Sequence, residues 1–286
     1  MKSDAPRWSC DICRVRRAVF YRRFSGHRMC SRCLWEALER GVKRSLRGSN
    51  LFRPGVKVLV YASALDPVAG LALSSILSRV EPRYGGVAAI AIPPYIRVQG
   101  GSWVKGLEVV EAPMESVRYN PLGRLSGGRL WAPALLRVER GIASLLAQDL
   151  GYDVALLPVT RTLISMIGLE ALVSARLQYM WDLETAAAGG GAPVALGFRS
   201  IESEAVSAFS AIHRLDASSS IEPEYRYKDV YKSLVTDDRP ELEFSSASTI
   251  SLLSRTKSRA GCRCRSCGAP VNCELEYCED CSKIWL

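Results

Sequence analysis

Hydrophobic residues in the middle of the chain alternate between short, β-rich runs and longer segments with helical spacing. The short runs are typical of buried parallel strands, and we predict strands at residues 56–62, 86–92, 107–110 and 153–159. The longer segments predict helices at residues 67–77, 130–150 and 161–180. Asp66 and Pro67 stand where a helix cap and a first-turn proline belong, and Gly151 ends the second helix. This alternation predicts an α/β fold with a doubly wound parallel sheet, in which ligands bind beyond the carboxyl ends of the strands.

The ten cysteines are confined to the two ends of the chain, and the 228 residues between Cys33 and Cys262 contain none. Each end has two Cys-x2-Cys pairs, the spacing of a zinc ribbon in which four thiolates surround one ion. We therefore predict two structural zinc ions and no catalytic one, because four thiolates leave no open position for water. The predicted ligands are Cys10, Cys13, Cys30 and Cys33 at one end and Cys264, Cys267, Cys278 and Cys281 at the other.

Three metal-site questions stay open at the level of the sequence. An iron–sulfur cluster also takes four thiolates, so the C-terminal group fits either zinc or iron. Cys262 and Cys273 are surplus, and they can form a disulfide, act as alternative ligands or remain spare thiols. We interpret His27 as a solvent-exposed residue rather than as a ligand.

The cysteine groups divide the chain into four parts. These are an N-terminal zinc ribbon (residues 1–38), a basic linker helix (39–54), the α/β domain (55–256) and a C-terminal zinc ribbon (257–286). The glycine run at residues 189–191 is predicted to be a loop. The sequence shows neither a membrane-length apolar run nor the apolar core of a signal peptide, so we expect a cytoplasmic protein without a membrane partner.

Positive charge is concentrated at the N-terminus. Residues 1–53 hold 14 Lys and Arg against 4 Asp and Glu, whereas residues 54–254 hold 18 against 21. A surface of one sign repels itself unless it meets a polyanion, so this region predicts nucleic-acid binding. The candidate contacts, interleaved with aromatic residues, are Arg14, Arg16, Arg17, Arg22, Arg23, Arg28, Arg32, Arg40, Lys43, Arg44 and Arg47.

The loop after the first predicted strand of the α/β domain is where such a fold would bind phosphate. Here it is formed by Ser63, Ala64, Leu65, Asp66 and Pro67, with no glycine and no lysine. Glycines let the backbone approach a phosphate and N–H groups bind it, so this loop is a poor phosphate site and ATP is a doubtful ligand.

No residue of the chain stands out as catalytic. Ser63 has no nearby histidine motif, which argues against a nucleophilic serine. We interpret the isolated carboxylates as helix caps or surface residues; they are Asp66, Asp153, Asp182 and Glu184.

The order of a ribbon, a helix, an α/β domain and a second ribbon resembles the PP-loop tRNA 2-thiolation family over nearly the whole chain. Residues 53–60 look like the strand before the family's phosphate loop, residues 160–163 onward like the helix after its fourth strand, and residues 227–241 like its closing helical segment. The resemblance implies a PP-loop ATPase-like fold, of the adenine nucleotide alpha hydrolase-like type. It also implies a role in making 2-thiouridine in tRNA, where the uridine is adenylated before sulfur is inserted.

The functional motifs of that family are not kept in this chain. Its Ser-Gly-Gly-x-Asp-Ser loop aligns from Ser63, which puts Ala64 and Leu65 at both glycines and Pro67 at the aspartate. The family's Cys-x-x-Cys falls near Ala132 and Leu135, and its third cysteine falls near residue 222. Its Gly-His-Asn segment falls on residues 158–163, where nothing matches. The chain therefore resembles the non-catalytic subunit of the eukaryotic cytoplasmic tRNA 2-thiolation complex, which implies tRNA and a catalytic paralogue as partners.

Three functions remain as hypotheses. The first is a tRNA-binding, non-catalytic subunit of a wobble-uridine 2-thiolation complex, paired with a catalytic PP-loop paralogue or with itself as a homodimer. The second is an active ATP-dependent tRNA 2-thiouridine synthetase, that is, a tRNA sulfurtransferase with a divergent site. The third is a zinc-ribbon regulator that binds nucleic acid.

Overall fold

The computed structural model describes most of the chain. The described residues are 8–47, 53–80, 82, 86–99, 107–110, 128–184, 186–187, 191–234, 239, 241–254, 262–265, 270–271 and 274–285. Within these ranges no helix combines the length and the apolar character that crossing a membrane requires.

The described strands are mostly short, and the longest of them form one central sheet. They are β1 (Phe20–Arg22), β2 (His27–Met29), β3 (Lys57–Tyr61), β4 (Val87–Ala91), β5 (Ile96–Gln99), β6 (Glu108–Val110), β7 (Arg129–Trp131), β8 (Val154–Thr160), β9 (Ala186–Ala187), β10 (Pro193–Phe198), β11 (Asp216–Ser219), β12 (Glu222–Glu224), β13 (Cys262–Arg263) and β14 (Pro270–Val271).

The described helices connect these strands. They are α1 (Ser31–Arg47), α2 (Pro67–Val80), α3 (Ala132–Asp149), α4 (Arg161–Val173), α5 (Ser203–His213), α6 (Lys228–Leu234), α7 (Glu241–Ser254) and α8 (Glu279–Trp285), with a 3₁₀ helix at Leu177–Leu183.

The central sheet has the strand order β6-β4-β3-β8-β10-β9. The first five strands are parallel, and β9 pairs antiparallel with β10 at one edge. Every residue of β8 is buried, as expected for a strand covered by helices on both faces. The strand order reverses between β3 and β8, so the crevice for ligands is expected at the carboxyl ends of these strands.

The helices pack in two groups. One consists of α1, α2 and α5, which contact one another, and the other consists of α3, α4, α7 and the 3₁₀ helix. This is the arrangement of helices on the two faces of a doubly wound sheet. Helix α1 comes unusually close to the segment after β10, because a Cβ on Gly41 would lie 2.6 Å from the Ile201 side chain.

The predicted strands at residues 56–62, 86–92, 107–110 and 153–159 are confirmed as β3, β4, β6 and β8, with ends shifted by no more than one residue. The helix predicted at 67–77 is α2, and Asp66 caps it by accepting a hydrogen bond from the Ala69 N–H at 3.0 Å. The predicted loop at 189–191 lies largely outside the described residues.

The bounds of three predicted helices are wrong. The helix expected at 130–150 begins at Ala132, because Arg129–Trp131 pairs as a strand with β12. The helix expected at 161–180 ends at Val173, since Ala175 takes a positive φ of 54° that a continuing helix does not allow. The linker helix expected at 39–54 starts at Ser31 and ends at Arg47, because its buried stripe already begins with Cys33 and Leu34.

Helix α5 and strand β10 have no counterpart in the sequence prediction. Strand β10 pairs with β8 and completes the parallel part of the sheet. Its sequence, Pro-Val-Ala-Leu-Gly-Phe, is short and apolar and therefore contained a strand signal that the pattern analysis missed.

Candidate functional site

The four N-terminal cysteines form one compact cluster. The sulfur atoms of Cys10, Cys13, Cys30 and Cys33 all lie within 4.8 Å of one another, and the Sγ atoms of Cys13 and Cys30 are 3.8 Å apart. Cys10 and Cys13 lie on the turn before the β1–β2 hairpin, whereas Cys30 and Cys33 lie at the start of α1. A thiolate-only, mostly buried donor set of this size fits a tetrahedral metal ion.

The local backbone favours a charged sulfur at Cys13. The N–H groups of Val15 and Arg16 point at this sulfur, and their hydrogen bonds lower the pKa of Cys13 to about 6. A thiol with a lowered pKa binds metal more readily, because the thiolate is the ligand. His27 does not belong to the cluster; it lies exposed on β2, as expected.

The C-terminal ribbon is described in part. The sulfur atoms of Cys264, Cys278 and Cys281 lie within 4.8 Å of one another and are buried. Cys267, the fourth predicted ligand, lies outside the described residues, and so does Cys273. Cys262 is disulfide-bonded.

A buried polar network fixes this ribbon to the α/β body. Arg137 of α3 pairs with Asp182 at 2.7 Å and reaches Asp280 of α8 at 3.4 Å. The Tyr179 hydroxyl also donates to Asp280, at 2.6 Å. The interpretation of Asp182 as a cap or surface residue is therefore wrong: it is 4% exposed and serves as a buried counter-ion.

Five of the eleven predicted nucleic-acid contacts are paired with acidic side chains of the protein itself. The pairs are Arg22–Glu202 (2.7 Å), Arg23–Glu204 (3.3 Å), Arg28–Asp11 (3.0 Å), Arg32–Glu36 (3.0 Å) and Lys43–Glu39 (2.7 Å). The uncompensated surface is thus smaller than the sequence predicts, because folding brings Glu202 and Glu204 of the body against the ribbon.

The remaining six arginines fall into two exposed groups. Arg14, Arg16 and Arg17 follow the first cysteine pair, and Arg40, Arg44 and Arg47 lie on α1. None of them forms an ion pair within the described part of the chain. Among the eleven predicted contacts, these six arginines are the ones whose charge remains available to a partner.

A carboxylate of the protein itself accepts the hydrogen bonds that the loop after β3 donates. The Ala64 N–H donates to Glu139 Oε1 at 2.7 Å, and the Ser63 hydroxyl donates to Glu139 Oε2. The Leu65 N–H in turn donates to the Ser63 oxygen at 3.1 Å. Glu139 projects from α3 and has no exposed surface. The hydrogen-bond donors of this loop are therefore used internally.

Two tyrosines complete the surroundings of this carboxylate. The Tyr95 hydroxyl donates to Glu139 Oε1 at 3.2 Å and lies 2.6 Å from the Tyr61 hydroxyl. Burial raises the pKa of Glu139 to about 7, although the hydrogen bonds from Ser63, Ala64 and Tyr95 oppose this shift. Sequence reasoning missed Glu139; the available signal was a charged residue within the apolar pattern of the helix predicted at 130–150.

The positions at which the family resemblance places cysteines come together in the fold. Strand β12 pairs in parallel with β7, so Glu222 lies opposite Arg129. Helix α3, with Ala132 and Leu135, starts directly after β7. The three positions thus share one corner of the body, and none of them is a cysteine.

The chain is similar to proteins of known sequence and to proteins of known structure. No family model matches the chain. A curated relative, the cytoplasmic tRNA 2-thiolation protein 1 of Debaryomyces hansenii, is 31% identical over 75 residues, which cover 26% of this chain and 19% of the relative. The chain therefore aligns with only about a fifth of that protein.

Among solved structures, the U34-tRNA thiolase NcsA from Methanococcus maripaludis, determined with its [4Fe-4S] cluster, superimposes with a TM-score of 0.68. The match covers 96% of this chain and 95% of the thiolase, at 12% sequence identity. The chain shares its fold with a U34-tRNA thiolase. The predicted doubly wound fold and the resemblance to PP-loop tRNA thiolation proteins are thereby confirmed, and the cysteine clusters at both ends lie within that fold.

Proposed function

We propose that this protein is a tRNA-binding, non-catalytic subunit of a tRNA wobble-uridine 2-thiolation complex, with a catalytic PP-loop paralogue as its partner. The observation that carries the proposal is the Glu139 carboxylate, which takes up the donors of the loop after β3. We place the complex in the cytoplasm, in keeping with the name of the curated relative.

A phosphate at this loop would need free N–H donors and no negative charge nearby. Here the Ala64 and Leu65 N–H groups are already bonded, the Ala69 N–H bonds to Asp66, and Pro67 has no N–H. An incoming phosphate would also have to displace the buried Glu139 side chain from these donors. We therefore expect that the isolated chain does not use ATP.

The α/β body also lacks the cysteine thiols that sulfur insertion would require. The thiolase of known structure was determined with a [4Fe-4S] cluster, and such clusters are held by cysteine thiolates. The residues between Cys33 and Cys262 contain no cysteine, and the corner formed by β7, β12 and the start of α3 is occupied by Ala132, Leu135 and Glu222. A partner that brings its own cysteines would supply this chemistry.

The features that remain suit an RNA-binding subunit. The thiolate clusters at the two ends are proposed to hold two structural zinc ions, which keep the small ribbons folded. Two groups of arginines, which form no ion pair with any residue that the structure describes, lie on the N-terminal ribbon and on α1. We place the contact with the paralogue on the nearly neutral α/β body, because stable protein interfaces are the more apolar kind.

Copurification tests the proposal directly. A tagged full-length chain is expected to bring down a second PP-loop protein with an intact Ser-Gly-Gly-x-Asp-Ser loop, together with tRNA. Pyrophosphate release by the purified chain, with and without tRNA, is expected to stay at background. Saturable, tRNA-stimulated ATP turnover by the isolated chain would contradict the proposal and favour an active synthetase.

A further inference from the structure

A cleft of about 760 Å³ lies where the N-terminal ribbon and α1 meet the α/β body. Its walls are formed by α1, by the turn after β1, by the segment after β10 and by α7. The segment after β10 and Arg161, which follows β8, place the cleft at the carboxyl edge of the sheet, where α/β folds bind ligands. The volume is in the range of small-molecule sites and is large enough for a nucleotide.

The cleft carries an excess of positive charge. Five arginines and two glutamates line it. Both glutamates are already neutralised: Glu202 pairs with Arg22 at 2.7 Å and with Arg161 at 3.5 Å, and Glu184 binds Arg199 at 3.0 Å.

The α1 wall supplies the charge that is left over. Arg40 and Arg44 are exposed, lie one helical turn apart on the same face of α1, and form no ion pair within the described residues. Their two guanidinium groups are therefore available to an anion with negative charges a few ångströms apart.

The lining of the cleft also contains an aromatic pair. Phe24, on the turn after β1, stacks on Phe244 of α7 with ring centroids 5.4 Å apart and an angle of 28° between the rings. The two side chains are 49% and 47% exposed, so much of the apolar surface of this pair remains in water. The Arg161 guanidinium lies 5.9 Å from the centroid of Phe24 and 5.6 Å from that of Phe244, within reach of a cation–π contact.

We infer that this cleft binds a single-stranded stretch of RNA, with an unpaired base stacked on the Phe24–Phe244 pair and the adjoining phosphates on Arg40 and Arg44. The inference rests on the proposed function in that RNA is the ligand. Aromatic rings beside a basic wall are the arrangement by which proteins bind single strands, because an unpaired base exposes a ring face that a duplex covers. An acidic peptide would use the arginines but would have no use for the stacked rings.

Fluorescence anisotropy with a short labelled oligouridine and a duplex RNA of equal length tests the inference. The full-length protein is expected to bind the single strand more tightly than the duplex. The double variant Phe24→Leu/Phe244→Leu keeps the apolar bulk and removes the rings, and it should weaken oligouridine binding about tenfold, the usual contribution of one stacked base.

The arginines are tested by salt dependence. Arg40→Ala/Arg44→Ala should lower the slope of log affinity against log salt by about 1.4, at about 0.7 for each phosphate of a single strand. Lys57→Ala is the control for loss of a positive charge, since Lys57 is exposed at the amino end of β3, on the opposite edge of the sheet, and should leave binding unchanged. Thermal unfolding confirms that the variants fold.

Photocrosslinking of wild-type protein to 4-thiouridine RNA gives a readout that needs no variant, with crosslinks expected at Phe24 or Phe244.

Several outcomes would overturn the inference. These are equal affinity for duplex and single strand, unchanged binding by the phenylalanine variant, crosslinks confined to other parts of the chain, or displacement of the RNA by polyglutamate with no effect of the phenylalanine changes. If whole tRNA does not bind but oligouridine binding depends on the cleft residues, the inference about the cleft is supported and the proposed function is wrong. If tRNA binds equally well to wild type and to the cleft variants, the proposed function is supported and the inference about the cleft is wrong.

Discussion

The N-terminal cysteine cluster and the loop after β3 differ in whether the protein itself supplies a partner for their polar groups. At the cluster, four sulfur atoms lie within 4.8 Å of one another and form a set of metal ligands that requires a bound cation. At the loop, Ser63 and Ala64 converge on Glu139, so the donors are satisfied by the protein. Buried polar groups without partners are costly, and a loop that no longer holds a ligand is stable only when the chain supplies a substitute. The cysteine cluster therefore still requires a ligand from outside the chain, whereas the loop after β3 does not.

The largest effect is expected at the cysteine cluster. Cys10→Ser should remove one metal ion per chain and unfold the N-terminal ribbon, because binding of a structural zinc contributes on the order of 10 kcal/mol to folding. Metal analysis is expected to fall from two zinc ions per chain to one, and RNA binding should be lost. The α/β body should keep its thermal transition. His27→Ala is the control and should retain both ions, whereas iron with a cluster absorbance in wild type would contradict the assignment to zinc.

A smaller loss is expected when the loop loses its internal acceptor. Glu139→Ala leaves the Ser63 O–H and the Ala64 N–H buried without an acceptor and should lower the free energy of unfolding by about 4 kcal/mol. Glu139→Gln keeps the shape and one acceptor oxygen, so it should cost less. Denaturant unfolding measures both. Equal stability of all three proteins would show that the carboxylate is not what satisfies this loop.

The charge of Glu139 predicts a pH dependence of similar or slightly smaller size. Its pKa is raised from 4.5 to about 7 in the folded protein, so the folded state holds a proton that the unfolded state has released. The resulting stability is complete below pH 4.5 and falls as the pH rises to 7, by about 3 kcal/mol in all. The difference in unfolding free energy between wild type and Glu139→Gln should follow this curve. A difference that does not change between pH 4.5 and 7 would contradict the raised pKa.

The smallest effect is expected on the exposed surface of the ribbon. Replacing Arg14, Arg16 and Arg17 by alanine should leave stability unchanged and weaken tRNA binding about tenfold, with a shallower salt dependence, because each contact to a phosphate releases counterions. The matched control replaces Arg23, Arg32 and Lys43 by alanine, since these three charges are already paired with Glu204, Glu36 and Glu39. Filter binding over a salt series measures both. Equal losses in the two variants would mean that net charge, rather than the uncompensated arginines, governs binding.

Local patterns account for much of what the structure contains. Strands β3 and β8 are read directly from their apolar runs, because a strand buried on both faces has little freedom in composition. The Asp66 cap follows from hydrogen bonding over three residues. The N-terminal cysteines come together because each Cys-x2-Cys pair forms its own turn, which makes spacing a sufficient predictor.

Contacts between distant residues are what the sequence did not show. Helix α1 begins at Ser31 because Leu34 and the residues that follow it on the same face pack against the body, a surface that exists only once β10 and α5 are in place. Asp182 became a buried counter-ion because Arg137 approaches it from another helix. Arg22 and Arg23 lost their availability to ligands for the same reason, through Glu202 and Glu204.

By itself, the sequence determined the cysteine spacing, the core strands, the absence of cysteines from the body and the absence of a glycine-rich loop. Only the tertiary structure decided that Glu139 closes the loop after β3, from 75 residues away along the chain, and that Phe24 and Phe244 meet beside Arg40 and Arg44. The physical reason is range. Turns and strands arise from interactions between near neighbours, whereas a buried carboxylate or a stacked pair of rings depends on which surfaces the whole fold brings together.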